Sequence, residues 1–175
     1  LVENNMTGIG WFIFETMKRI VAKHPEHTFY YFFDRSYSHK FITSPNIVPI
    51  VVPPKCRYHP LFYKFWYDFQ LPKVLKKYKI DLFISGDTVN TTKSKVPSLL
   101  VIHDLTFEHY PSFTPSYMTK YFKKTVPKGA NKAIEIATVS EYSKNDIATK
   151  YQIDSNKISV VYNGINNHFE PLDND

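Results

Sequence analysis

The amino-acid sequence predicts an α/β domain with a parallel sheet and helices on both faces. Three observations predict it. Short, continuously apolar runs, such as SLLVI at 98–102, read as strands buried on two sides. Segments with an apolar period of 3.6 residues alternate with those runs along the chain. The chain has 175 residues, 43% hydrophobic and 22% charged, enough for one domain with its own core.

Each element has its own signal. Residues 9–23 read as a helix, with Ile9, Phe12, Ile13, Thr16, Met17 and Ile20 on one face. TFYYFF at 28–33 is a β-prone run, and IVPIVV at 47–52 is a second, weakened by Pro49. Residues 59–78 are mostly helical. Phe62, Phe65, Trp66 and Phe69 fall at i, i+3, i+4 and i+7, a stripe expected to face the core, and Pro72 is expected to kink or divide the helix. Strands follow at 81–85 and 98–102, separated by the polar loop 86–97. A helix at 115–128, a strand at 134–139, a helix at 140–151 and a last strand at 158–162 complete the order. Ser140 is the expected N-cap, with Ser143 as rival. Residues 1–169 read as one domain and the polar tail 170–175 as the start of a linker. No repeat or low-complexity segment interrupts it.

The formal net charge of +6 and pI of about 9.2 favour acidic partners: phosphates, nucleic acid or an anionic membrane surface. Charge does not choose among them. One cysteine, Cys56, cannot form an internal disulfide, which points to a reducing compartment. No apolar run reaches the length of about 18 residues that spans a bilayer, and no signal peptide is legible. A first residue of Leu1 rather than Met reads as a fragment.

In open parallel sheets, ligands bind beyond the C-terminal ends of the strands. His103 and Asp104 stand at such an end, directly after the run at 98–102. An imidazole donates or accepts a proton near neutral pH. Successive strand side chains alternate faces, so Asp104 points elsewhere, either to substrate or to a loop or turn that it ties down. Gly8, Ile9 and Gly10 open the first helix, where glycine permits close approach and the helix N-terminus attracts anions. A flexible helix start explains the same residues. Ser140 either caps its helix or touches a ligand, and Asn163-Gly164 reads first as a turn. Aromatic and basic residues interleave at 117–128. Lys120, Lys123, Lys124 and Lys128 there form either a patch for an anionic membrane or nucleic acid, or a solvated face. The seven histidines show no metal-binding spacing, so no metal site is expected.

Taken in order, TGIGWF, QLPKVLKKYKIDLFIS, VIHDLTFEHYP, ATVSEYSKNDI and KISVVYNGINNHFEP resemble the N-terminal domain of family-4 (group 1) retaining glycosyltransferases of the GT-B fold. The similarity runs from about residue 7 to residue 171. It implies a Rossmann-like domain, the acceptor-side half of a two-domain enzyme whose cleft lies between the halves. A nucleotide-sugar donor and a glycan or glycolipid acceptor of a bacterial surface polymer are the implied substrates, with no bound metal or cofactor. The resemblance places Gly8, Ile9 and Gly10 in the loop near the donor phosphates. His103 matches the histidine that contacts the transferred sugar. Ser140 and Glu141 match the SE that begins a helix facing the cleft, and Asn163 and Gly164 the NG at the interdomain hinge. Phe169 and Pro171 match the F-x-P of the linker. Two features depart from the family: its opening strand and its donor domain with the E-x7-E motif are both missing. Trp11 also stands where the family often has Arg or another polar residue. The fragment alone is expected to be inactive, and the location expected is cytoplasmic or peripheral on the inner face of the cytoplasmic membrane. The rival reading is a basic, non-catalytic α/β module that binds nucleic acid or an anionic membrane through 117–128. If the transferase reading holds, no nucleic-acid partner is expected.

Overall fold

A computed structural model describes residues 6–55 and 58–164. Helix α1 (Gly8–Lys23) starts where Thr7 caps it, its hydroxyl accepting from the Gly10 N–H at 3.3 Å. Then come β1 (Phe29–Phe33), β2 (Ile47–Val51), α2 (Pro60–Phe65), α3 (Leu71–Lys77), β3 (Phe83–Ser85), β4 (Ser98–Val101), α4 (Thr106–His109), α5 (Ser116–Lys132), β5 (Glu135–Thr138), α6 (Glu141–Tyr151) and β6 (Ile158–Val160). Every strand pairing is parallel, as the continuous apolar runs predict.

The strands form two sheets, β1-β2 and β3-β4-β5-β6. In the larger sheet, register aligns Ser85, Leu100, Ile136 and Ile158 in one row. Leu100, Ile136 and Ile158 are at most 1% exposed and pack with Val126, Ala130 and Ile147 of α5 and α6. A second core lies under α3, where Leu71 and Leu75 meet Trp66, Tyr67, Val52 and Val89. Pro49 is tolerated because β2 is an edge strand, where a missing N–H leaves only one side of the ladder unpaired. Between the sheets lies a cavity of about 930 Å³, lined by β1, β3 and the apolar face of α1, including Phe12, Ile13, Thr16, Met17 and Ile20. The predicted inner face of α1 therefore borders a void rather than a closed core.

The helix expected over 59–78 is divided, but not at Pro72. A wide turn, Trp66–Gln70, separates α2 from α3, with the Leu71 N–H donating to the Trp66 carbonyl. Such a turn inserts one residue into the helical repeat. The insertion brings neighbouring Trp66 and Tyr67 inward together and leaves Phe65 and Phe69 42% and 50% exposed. The apolar stripe expected in the core is thus split, with Phe65 and Phe69 outside. The short helix α4 has no signal in the sequence reading. Helix α5 continues past the expected end at 128 to Lys132, carrying Pro127 within it.

Candidate functional site

The chain ends of β3 and β4 meet the N-terminal half of α1. His103 lies two residues beyond Val101, after the fully buried Ile102. Its ring packs edge-on against Phe12 of α1, with centroids 5.0 Å apart at 85°. Burial holds the imidazole below its ordinary pKa, against the opposing pull of Asp104 and a hydrogen bond to the Gly86 backbone. The ring is therefore neutral at pH 7. Its Nε2 is buried and has no hydrogen-bond partner among the described residues. A buried, half-satisfied imidazole is costly unless a ligand completes it.

Gly86, just past β3, sets how closely α1 approaches. A Cβ there would come within 2.6 Å of the Ile13 side chain. Any larger residue there would force the Ile13 side chain of α1 to move.

The other expected residues divide. Gly8 and Ile9 are exposed at the start of α1, whereas Gly10 is buried and its N–H is taken by Thr7. Trp11 is 48% exposed beside them. Asp104 accepts from the Thr106 N–H at 2.8 Å, so its carboxylate ties down the start of α4, the loop role open to it in the sequence. Ser140 caps α6, accepting from the Ser143 N–H at 3.1 Å, which is the structural role open to it. Glu141 is exposed in the first turn of α6. Asn163 and Gly164 are exposed after β6, while Phe169 and Pro171 lie outside the described residues. On α5, Lys120, Lys123, Lys124 and Lys128 are all exposed, and Lys123 reaches the Glu108 carboxylate at 3.6 Å.

One residue that the sequence reading passed over lies one position past Gly86, whose backbone bonds His103. Asp87 follows Gly86 directly and accepts a hydrogen bond from the Tyr63 side chain. One side of Asp87 is open to solvent, but protein encloses the rest, and that partial dehydration pushes its carboxyl up to about 6. The rule that singled out His103, a polar residue at the C-terminal end of a strand, selects Asp87 equally well. The strand over 81–85 was legible. Its polar end was absorbed into a loop.

The cavity between the sheets adjoins this site at Phe12 and Gly86, but His103, Asp87, Ser140 and Glu141 do not line it. His24, Glu26 and His27 gather at the opposite end of the sheet, ahead of β1, with His24 Nδ1 3.0 Å from a Glu26 oxygen. Among the described residues they form the one grouping whose side chains could converge on a metal ion, which their sequence spacing did not suggest. All three are exposed. No helix among the described residues is long and apolar enough to cross a membrane.

A parallel α/β domain with helix start, imidazole and carboxylate converging on strand ends belongs to the class that binds ligands at a sheet's C-terminal edge. Comparison with known proteins narrows the class. The family model for Glycosyltransferase Family 4 matches residues 6–169, and the chain belongs to that family. It is 32% identical over 131 residues to the O-antigen chain mannosyltransferase RfbU of Salmonella typhimurium, a match covering 71% of this chain and 34% of that protein. The chain thus aligns with about a third of the relative's length.

Proposed function

We propose that this domain is the acceptor-side half of a retaining glycosyltransferase of GT-B architecture. The whole protein moves a hexose from a nucleotide-sugar to a hydroxyl of a glycan or lipid-linked acceptor. The observation that carries the reading is a family match over nearly all of the chain, with His103 lodged where α1 meets the ends of β3 and β4. In the reaction, the bond between the anomeric carbon and the diphosphate oxygen breaks and its electron pair leaves with the nucleotide. The acceptor oxygen bonds to the same face and its proton is released. Neutral His103 offers Nε2 to a hydroxyl of the transferred sugar, positioning it rather than acting as base. The exposed N-terminus of α1 at Gly8 and Ile9 faces the departing diphosphate, where backbone amides stabilise developing negative charge. No metal ion is required, and the second domain supplies the remaining phosphate contacts. The relative's name makes a mannosyl donor and a surface polysaccharide the first substrates to try.

The test is direct. The full-length protein is incubated with UDP-, GDP- and ADP-sugars, and nucleotide release is followed. Release from one donor, lowered more than tenfold by His103→Ala with folding intact, is the expected result. No release from any donor by folded protein would favour a non-catalytic module instead. The same reading has the protein working at the inner face of the cytoplasmic membrane, held there by Lys120, Lys123, Lys124 and Lys128. Replacing the four with Glu should abolish binding to anionic liposomes, and retained binding would reduce α5 to a solvated face.

A further inference from the structure

Asp87 has no role in the positioning of sugar or diphosphate described above, yet the fold invests heavily in its placement. The segment that carries it is pinned at several points. The Thr88 N–H donates to the Val101 carbonyl at 3.1 Å, tying the segment to the end of β4. The Ser85 hydroxyl donates to the Val89 carbonyl at 2.6 Å, and the Val89 N–H turns back to the Asp87 carbonyl. Thr88 itself adopts φ of 51°, a left-handed conformation that a β-branched residue rarely takes. Strain of this kind persists only where surrounding structure enforces it, and it gathers at ligand sites.

What surrounds the carboxylate suits a sugar. Tyr63 donates to it from α2. Tyr58, 52% exposed, stands close enough for its hydroxyl to feel the Asp87 charge, and it bonds to the Thr114 side chain. Behind them Tyr58 and Tyr63 rings meet edge-on at 6.2 Å, and Tyr63 meets Tyr121 at 5.9 Å. Tyr58 thereby offers a phenolic face beside a carboxylate. Carboxylates accept from paired hydroxyls, and aromatic faces cover the apolar C–H side of a pyranose.

We propose that Asp87, held by Tyr63 and walled by Tyr58, is the carboxylate that binds hydroxyl groups of the acceptor sugar. Its position next to Gly86, which contacts His103, sets the acceptor side of the cleft directly against the sugar-positioning side. The inference rests on the transferase reading for its biological role, but its test does not.

The test measures binding of a panel of methyl glycosides (mannoside, galactoside, glucoside and rhamnoside) to full-length protein by ligand-observed NMR titration, with no donor present. At least one glycoside should bind, and Asp87→Asn should weaken it about tenfold or more, the scale expected for losing a charge-assisted hydrogen bond. Tyr63→Phe, which keeps the carboxylate and removes its tether, should weaken it by a smaller factor, about threefold. A thermal melt confirms that each variant is folded, and if Asp87→Asn is not, Tyr63→Phe alone decides. No binding of any glycoside to wild type, or equal binding by wild type and the folded variant, overturns the proposal. Either result leaves the donor-panel experiment free to succeed or fail on its own.

Discussion

The two sheets are both built from largely apolar strands but end in different states. In the larger sheet β4 and β5 have three of four residues buried, and the row Leu100, Ile136, Ile158 is sealed under α5 and α6. In the smaller sheet, FYYFF of β1 is more aromatic than any other strand, yet none of its five residues is fully buried. The difference lies in neighbours rather than in composition. Each inner strand of the larger sheet is paired on both edges, whereas among the described residues β1 pairs with β2 alone and lines the cavity. Apolar side chains stabilise in proportion to the area removed from water and to contact with other atoms, and a void supplies neither in full.

The contrast predicts a graded response to truncation. Ile136→Ala should cost about 3–4 kcal/mol in urea unfolding, because a sealed site cannot collapse around the gap. Phe32→Ala, although it removes more atoms, should cost only about 2 kcal/mol, since that ring is only half-buried. An equal or larger loss at Phe32 would break the comparison.

Gly86 is where the two regions touch, and Gly86→Ala tests that joint. A methyl group 2.6 Å from the Ile13 side chain must displace that side chain from the end of β3, for a cost of about 1–3 kcal/mol. The companion change Ile13→Ala should return much of the loss in the double variant. If Gly86→Ala is neutral alone, α1 is not seated on the end of β3.

A smaller effect is expected on the outer side of the helix layer. Phe65→Ser and Phe69→Ser should each change stability by no more than about 0.5 kcal/mol, as exposed positions do. A cost above about 2 kcal/mol at either would restore them to the core that their spacing suggested.

The last prediction concerns the rim of the cavity. Burial pushes the Tyr31 phenol up to about 12, from an ordinary value of 10.0. The folded state then holds its proton more tightly than the unfolded chain. That contribution is complete below pH 10 and is lost as pH rises through about 12. Tyr31→Phe should therefore flatten the decline of stability over this alkaline interval, and an unchanged slope would place the phenol in open water.

Much of the architecture was legible along the chain. Periodicity located α1, α5 and α6 and all six strands to within a few residues, because each has a strong local pattern. His103 stood out because a polar residue ends a continuously apolar run. The loss of Phe65 and Phe69 from the core was not legible, since a single inserted residue in a helical turn leaves no mark on composition. Asp87 was missed for a related reason: its polar neighbours made 86–97 read as an undifferentiated loop.

By itself the sequence determined the order of elements, the parallel pairing and the family, all of which depend on local pattern and on the succession of motifs. The tertiary structure decided the rest: the pairing order of the described strands and the meeting of Phe12, Gly86 and His103 at one edge. Those outcomes depend on contacts between residues as far as 91 positions apart, the separation of Phe12 and His103 (103 minus 12). Local propensity cannot encode such a distance, and packing around a shared core can.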